Sequence, residues 1–243
     1  MKLLALDSSG LVASVAVLED ETLVAEYTTN YKKTHSQTLL PMLDEIRRMT
    51  ELDLHTIDAI AVAAGPGSFT GLRIGSATAK GLGLALDKPI IPVPTVEALA
   101  YQLWGAKGDI CPMMDARRNQ TYTGIYSFED GVFWTVLPQC AVSLEELLER
   151  INENGRSVTF LGDGVPVFRE QIMASCKVPF LFAPPHCSRQ SAAAVAVLGM
   201  EYYKQGRFVS ADLHAPEYLR MSQAERERLE REKKNGNTTG ASC

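Results

Sequence analysis

The amino-acid sequence predicts an α/β fold built from two duplicated units. A short apolar strand that leads directly into an aspartate occurs twice, at residues 2–6 and 109–114. Each copy is followed by a second strand, an acidic turn and a third strand, and then by runs with helical periodicity. Residues 105–108, which are small and polar, separate the two patterns. Duplication of one strand-and-helix unit explains these observations together.

The first unit comprises residues 1–104. Five runs that are apolar or rich in β-branched residues predict its strands, at 2–6, 12–18, 22–28, 59–64 and 90–93. Three runs with helical spacing or composition predict its helices, at 36–49, 72–86 and 95–103. Ser68 or Thr70 is the expected N-cap of the second helix, and Thr95 is the expected N-cap of the third.

The second unit comprises residues 109–220. Four runs of the same kind predict its strands, at 109–114, 121–128, 132–137 and 158–161. Ser143 and Glu146 form a capping box that predicts a helix start. An alanine-rich helix is predicted at 188–204 with Ser188 as its N-cap. Residues 221–243 are highly charged and then polar, which predicts a flexible tail.

Composition excludes several classes of protein. The net charge of -5 provides no general attraction to nucleic acid. The apolar run after Met1 is too short for a signal peptide, and the longest apolar run, residues 192–200, is too short to span a membrane. The five cysteines are scattered and form no CxxC pair, so neither a disulfide framework nor a zinc site is indicated. We therefore expect a cytoplasmic protein without a membrane segment.

A glycine-rich loop connects the strand at 59–64 to the helix at 72–86. The loop runs in order through Gly65, Pro66, Gly67, Ser68, Phe69, Thr70, Gly71, Leu72 and Arg73. Glycine and proline favour a sharp reversal between strand and helix. Amides at a helix N-terminus can also hold an anion, so both a tight structural turn and an anion site remain open; spacing alone favours the turn.

Small residues recur every four positions along the helix that follows the loop, at Gly71, Gly75, Ala79 and Gly83. Glycine inside a helix costs about 1 kcal/mol relative to alanine, so a close compensating contact is expected. Packing on the chain's own sheet and contact with a second subunit both satisfy this expectation, and the sequence leaves both open.

Two aspartate-led turns, at Asp7 and Asp115, follow the first strands of the two units. Duplicated units of this kind resemble the actin, sugar kinase and heat-shock ATPase architecture, in which paired turns hold nucleotide phosphates between two lobes. The nucleotide or phosphate candidates are Asp7, Ser8, Ser9, Asp115, Gly162 and Gly164. The alternative for the aspartates is turn stabilisation. It is favoured for Asp115, because Arg117 and Arg118 are close in sequence.

Four motifs carry a closer resemblance, at residues 6–9, 35–42, 65–73 and 115–118. With them the chain resembles the TsaB family, formerly YeaZ, the small subunit of the bacterial tRNA N6-adenosine threonylcarbamoyltransferase complex. The resemblance runs from Met1 to about Arg220, where residues 216–220 are similar to the closing motif of the family. The long glycine-rich motif is the most specific of these matches.

The resemblance implies a non-catalytic subunit that pairs with TsaD, the catalytic paralogue that modifies adenosine 37 of tRNAs reading codons that begin with A. It also implies the ATPase TsaE as a further partner, tRNA contact through the complex, and a homodimer in isolation. The resemblance also implies that the chain itself requires no cofactor and that ATP or ADP binds at the junction between the subunits of the complex. The four histidines show no metal-ligand spacing, so no metal and no catalytic residue are predicted.

The resemblance further implies that the helices of the first unit form the pairing surface. The interface candidates are His35, Leu39, Leu43, Gly75, Ala79 and Gly83. Gly75→Leu or Ala79→Leu is then expected to block pairing and to leave the monomer folded.

Two other functions remain as alternatives. The duplicated aspartate turns and residues 162–164 favour a stand-alone enzyme that binds or hydrolyses ATP, although the GxxxxGK[ST] phosphate loop is absent from the sequence. A peptidase ranks last, because the sequence contains no HExxH motif and Pro66 breaks the GxSxG frame around Ser68.

Overall fold

The computed structural model describes residues 1–31 and 33–220 and contains two five-stranded sheets with helices packed on them. The predicted tail at 221–243 lies outside the described residues. In the first lobe the elements are β1 (Lys2–Asp7), β2 (Ala13–Glu19), β3 (Thr22–Thr29), α1 (Leu39–Thr50), β4 (Ala59–Gly65), α2 (Phe69–Leu86), β5 (Ile90–Pro94) and α3 (Thr95–Tyr101). The elements that follow are β6 (Asp109–Asp115), β7 (Gln120–Glu129), β8 (Val132–Ser143), α4 (Leu144–Asn154), β9 (Val158–Leu161), α5 (Val165–Ser175), β10 (Phe180–Phe182) and α6 (Ala192–Lys204).

The two sheets have the same topology. Their strand orders are β3-β2-β1-β4-β5 and β8-β7-β6-β9-β10. In each sheet the first three strands are antiparallel and the last two run parallel to the central strand. Asp7 and Asp115 end the central strands, opposite Ser14 and Thr121 respectively. The predicted duplication and the α/β fold class are confirmed.

The last helix of each half of the chain packs on the sheet of the other half. Val96 and Leu99 of α3 lie in a core with Ile110 and Tyr126 of the second sheet. Helix α6 covers the first sheet, where the helix positions Ala192, Val195, Ala196 and Tyr202 pack with Leu3, Ala61 and Val93. The predicted second unit, 109–220, therefore requires a correction, because α6 belongs to the core of the first lobe.

The small residues of α2 face the interior of the chain. A side chain at Gly75 would reach 2.5 Å from Ser8 Oγ, and one at Gly83 would reach 2.8 Å from Ala211 Cβ. Ala79 is completely buried in the core beneath α1 and α2. The sequence left open whether the small residues pack on the chain's own sheet or on a second subunit. In this structure they pack inside the chain.

Most predicted elements are confirmed with small shifts at their ends, and two helix starts differ. Helix α6 begins at Ala192, where Ser191 Oγ accepts a hydrogen bond from Ala194 N, so Ser188 is not its N-cap. Thr95 is the first residue of α3 rather than its N-cap, and its hydroxyl accepts from Gly65 N at 3.2 Å. Ser68, one of the two residues predicted for this position, is the N-cap of α2.

Three further local findings refine the predictions. Residues His35–Gln37 form a 3-10 turn, so α1 starts later than predicted. Ser143 Oγ accepts from Glu146 N as half of the predicted capping box, whereas the Glu146 carboxylate accepts from Arg150. Helix α5 and strand β10 were not predicted.

Within residues 1–31 and 33–220, no helix combines the length and the apolar character needed to cross a membrane.

Candidate functional site

A cleft of about 660 Å³ lies where the two lobes meet. Its walls come from the turn after β1, the glycine-rich loop, the turns after β6 and β9, the segment before α6, and residues 217–220. The predicted site residues that line it are Ser9, His35, Pro66, Gly67, Ser68, Phe69 and Asp115. The remaining phosphate-cleft and loop candidates lie outside the lining, namely Asp7, Ser8, Gly65, Thr70, Gly71, Arg73, Gly162 and Gly164.

The aspartate of the first lobe is sealed beneath the cleft. Asp7 is 1% exposed, and its Oδ1 accepts hydrogen bonds from Ser9 N at 2.9 Å and Ser9 Oγ at 2.7 Å. Burial raises the pKa of the Asp7 carboxyl to about 6, and the bonds from Ser9 and the charge of His35 act in the opposite direction. Ser8 is also buried and donates to Gly71 O at 2.9 Å. Neither Asp7 nor Ser8 reaches the cleft.

The glycine-rich loop forms the cover over this turn. Ser68 N donates to Ser9 O at 2.6 Å, and side chains at Gly67 and Gly71 would overlap the carbonyl oxygens of Ser9 and Ser8. The glycines therefore allow the backbones of the loop and the turn to touch. This is the tight-turn role that spacing alone favoured, while Pro66 to Phe69 remain on the cleft wall.

The second lobe repeats this arrangement. Gly65 is the last residue of β4 and has φ of 126°, and Gly162 directly follows β9 and has φ of 108°. Both positions require glycine, because side chains there would also overlap the carbonyl oxygens of Glu217 and Met113 respectively. The sequence Gly65-Pro66-Gly67 thus corresponds to residues 162–164, with Asp163 in the place of Pro66. Gly162 and Gly164 shape the turn and do not line the cleft.

Asp115 and Asp163 supply the acidic side of the cleft. Asp115 forms a salt bridge of 3.2 Å with Arg117 and accepts from Arg117 N at 2.8 Å. This is the structural pairing that the sequence favoured for Asp115. Burial raises the pKa of the Asp163 carboxyl, and the nearby Arg189 acts against that rise.

Residues 207–220, which we call the C-terminal strap, close one side of the cleft. The strap crosses the first lobe, where Val209 pairs with Ile90 and Lys80 Nζ donates to the carbonyl oxygens of Asp212 and His214. Glu217 N then donates to Ala64 O at 2.7 Å. Arg220 reaches the second lobe and donates to Ala116 O at 2.9 Å. The strap therefore ties both lobes together beside the cleft.

The cleft residues that were not among the predicted site residues include the polar side chains of Asp163, Arg189, Gln190, Glu217, Tyr218 and Arg220. The last three belong to the motif at 216–220, which signalled their importance but not their location. Asp163 was visible only as the centre of a glycine turn. Arg189 and Gln190 carry no local signal, because they reach the cleft only through the placement of α6 on the first sheet.

Five of the six interface candidates require a correction. Leu39, Leu43 and Ala79 are buried in the core of the first lobe, and Gly75 and Gly83 contact Ser8 and Ala211 respectively. These positions leave no surface for a partner. His35 is half-buried, and its Nε2 lies 2.8 Å from Gly10 O on the cleft wall.

Comparison with known proteins shows the family to which this chain belongs. The family model for TsaD, tRNA N6-adenosine threonylcarbamoyltransferase, matches residues 22–228. The chain is 37% identical over 237 residues to the tRNA threonylcarbamoyladenosine biosynthesis protein TsaB of Bacillus subtilis, which covers 96% of this chain and 100% of that protein. The chain belongs to the TsaB family. It is also 28% identical to TsaB of Escherichia coli, over 90% of this chain and 95% of that protein.

The structural comparison supports the same TsaB assignment. The crystal structure of an uncharacterized Pseudomonas aeruginosa protein with similarity to peptidase YEAZ matches with a TM-score of 0.79 and 27% identity. The match covers 90% of this chain and 99% of that chain, so it includes both lobes. The actin-like, two-lobed α/β fold expected for a TsaB-family chain is therefore present here.

The residues of this TsaB-family cleft do not fit the magnesium nucleotide that the actin-like fold class implies. Asp7 is sealed, and the Asp115 carboxylate is paired with Arg117. Among the residues that the structure describes, no three His, Cys, Asp or Glu side chains form a group able to hold a metal ion. Ser68, the serine considered for the peptidase alternative, has a structural role, because its Oγ accepts a hydrogen bond from Gly71 N as the N-cap of α2.

Proposed function

We propose that this chain is a non-catalytic partner subunit for threonylcarbamoylation of adenosine 37 in tRNAs that read codons beginning with A. The observation that carries the proposal is the similarity to Bacillus subtilis TsaB over the whole of that protein. The sealed Asp7 and the paired Asp115 support a role other than phosphoryl transfer. The same proposal locates the chain in the cytoplasm and assigns it no cofactor of its own.

The proposed partner is a TsaD-type paralogue, and the match of the TsaD family model to residues 22–228 supports pairing between related folds. The proposed pairing surface is the outer side of α1 and α2. Leu40, Met49 and Leu84 on these helices are 53%, 74% and 62% exposed. Exposed apolar side chains of this size are typical of protein interfaces. The same surface would serve a homodimer in isolation.

The remaining partners follow from the same proposal. An ATPase of the TsaE type joins the assembly, and ATP or ADP binds at the junction between subunits rather than in the cleft of this chain. Contact with tRNA occurs through the complex, because the net charge of -5 gives this chain no general attraction to RNA.

The variants for testing pairing must lie on the surface. A leucine at Gly75 would collide with Ser8 Oγ and the neighbouring Val62, so Gly75→Leu is expected to unfold the chain rather than block pairing. Ala79→Leu is expected to do the same, because Ala79 is fully buried. Leu84→Glu changes the proposed surface instead, and Leu181→Glu, at a similarly exposed site on β10, is its matched control.

The deciding experiment measures threonylcarbamoyladenosine formed on tRNA by TsaD, TsaE, the adenylate-forming enzyme and ATP, with and without this chain. Product is expected only when the chain is present. Leu84→Glu is expected to weaken binding to TsaD by about tenfold or more, and Leu181→Glu to leave it unchanged. Product that forms equally well without the chain would refute the proposed function. Equal binding by both variants would refute the proposed surface alone.

A further inference from the structure

The C-terminal strap has two parts that are held in different ways. The first part, residues 207–214, which we call the root, is fixed to the first lobe. Val209 N donates to Ile90 O at 2.9 Å, and Ile90 N donates to Val209 O at 2.8 Å. Ala211 is buried in the core beneath α1 and α2, and His214 is 3% exposed. The root therefore belongs to the core of the first lobe and leaves it only when that core opens.

The second part of the strap, residues 215–220, which we call the tip, is held only lightly. None of its residues is buried. Within the described part of the chain its main chain forms a single backbone hydrogen bond, from Glu217 N to Ala64 O at 2.7 Å. Segments with few buried apolar contacts and few backbone hydrogen bonds open locally at a low cost in free energy. The tip can therefore detach while the root stays in place.

The tip contacts both lobes at the same time. On the side of the second lobe, Gln139 Nε2 donates to Glu217 Oε2 at 3.0 Å, and Arg220 Nη1 donates to Ala116 O at 2.9 Å. On the side of the first lobe, the ring of Tyr218 lies against the first residue of α2. Because one short segment makes all these contacts, we expect them to form and break together.

The tip also forms one wall of the cleft. Its last four residues, Glu217, Tyr218, Leu219 and Arg220, all line the cleft. The backbone of the tip lies directly on the glycine-rich loop, since a side chain at Gly65 would overlap the carbonyl oxygen of Glu217. Departure of the tip therefore uncovers the end of β4 and the start of α2, and it opens the cleft to solvent on that side.

We propose that the tip is a gate, which closes one side of the cleft in this structure and moves away from it as a single unit while the root stays on the first lobe. Opening breaks the contacts of Glu217 with Ala64 and Gln139, and it breaks those of Tyr218 and Arg220 with the two lobes. None of these contacts lies within a sheet or a helix, so both lobes keep their own hydrogen bonds. The gate is a property of this chain alone and does not rest on the proposed function.

Native-state hydrogen exchange of the ¹⁵N-labelled full chain tests the gate, with the amides of Glu217 and Val209 as reporters of the tip and the root. Relative to its intrinsic rate, the Glu217 amide is expected to exchange at least about 100-fold faster than that of Val209. Local opening exposes little surface, so only exchange at Val209 is expected to accelerate with urea below the unfolding transition. Equal protection or equal urea dependence of the two amides would overturn the proposal. So would a Glu217 amide without any protection, because the tip would then have no closed state.

Single substitutions then test whether the tip opens as one unit. Arg220→Ala and Gln139→Ala each remove a bond to the second lobe. Each is expected to accelerate exchange of the Glu217 amide by about tenfold, although that amide bonds to the first lobe, and to leave exchange in the root unchanged. Arg169→Ala and Gln171→Ala, at exposed positions on α5, are the matched controls and are expected to change neither. Unchanged exchange at Glu217 in both tip variants would also overturn the proposal.

Discussion

The ring of Tyr218 lies against the ring of Phe69, with centroids 4.6 Å apart. The guanidinium of Arg73 covers the same Phe69 ring at 4.1 Å, and Arg73 Nε donates to Tyr218 Oη at 3.3 Å. Arg73 and Tyr218 are 145 positions apart in the sequence. The glycine-rich motif and the closing motif, which looked separate in the sequence, therefore form one cluster that fastens the C-terminal strap to the start of α2.

Tyr218→Ala is expected to lower the free energy of unfolding by about 1–2 kcal/mol, because it removes an aromatic pair and a hydrogen bond at a partly exposed site. Amide hydrogen exchange in residues 214–219 is expected to become faster as the strap loosens. Urea unfolding and exchange measurements provide both readouts. Tyr31→Ala is the control, because Tyr31 is 70% exposed. An equal loss of stability in the two variants would contradict the role of the cluster.

Sequence patterns were sufficient for the features that depend on local periodicity. The strands ending at Asp7 and Asp115, the glycine turns after β4 and β9, and the duplication were all predictable, because each repeats a short pattern. The strap and the exchange of α3 and α6 between the sheets were not. Both depend on contacts between residues far apart in the chain, which local periodicity does not encode. Arg189 and Gln190 are cleft residues for that reason alone.

Asp7 provides a prediction about pH. The folded pKa of about 6 lies above the unfolded value of 3.8, so the folded state binds a proton that the unfolded state releases between these values. The group therefore costs stability above pH 6, and this cost disappears as pH falls towards 4. Asp7→Asn removes the buried charge while keeping an acceptor for Ser9. The variant is expected to be more stable than the native chain by about 3 kcal/mol at pH 8 and by only about 1 kcal/mol near pH 4.5.

Urea unfolding at the two pH values measures this effect. Asp87→Asn is the matched control, because Asp87 is an exposed helix C-cap in the left-handed conformation, which asparagine also adopts. A benefit from Asp7→Asn that is the same at pH 4.5 and pH 8 would show that the charge of Asp7 is not its cause.

His214 is expected to have the opposite effect to Asp7 on how the free energy of unfolding depends on pH. It is 3% exposed, and burial lowers its pKa from 6.5 to about 4, with Lys80 acting in the same direction. The unfolded state then binds a proton that the folded state excludes, so stability is full above pH 6.5 and falls as pH drops towards 4. His214→Gln is expected to remove about 2–3 kcal/mol of this loss between pH 7.5 and pH 4.5.

The measurement is again urea unfolding across that range, and His55→Gln is the control, because His55 is exposed in the short turn before β4. In the native chain the effects of Asp7 and His214 nearly cancel. Acid is therefore expected to destabilise Asp7→Asn more steeply than the native chain, and His214→Gln less steeply. Parallel curves for the two variants would contradict both assignments.

Glu26 on β3 is expected to hold α6 on the first sheet. Its Oε1 accepts from Ser191 Oγ at 2.7 Å, from Ala193 N at 3.1 Å and from Ser14 Oγ at 3.1 Å. A carboxylate at a helix N-terminus is favourable both as a hydrogen-bond acceptor and through the helix dipole. The N-cap of α6 therefore depends on a strand about 165 positions earlier in the chain.

Glu26→Ala removes this acceptor and is expected to lower the free energy of unfolding by about 1–2 kcal/mol. Glu26→Gln keeps an acceptor oxygen and is expected to lose less than half of that amount, because only the charge is removed. Glu170→Ala, at an exposed position on α5, is the control for loss of a surface carboxylate. The ranking of these variants in urea unfolding separates hydrogen bonding at α6 from a general charge effect. Equal losses in Glu26→Ala and Glu170→Ala would favour the charge effect.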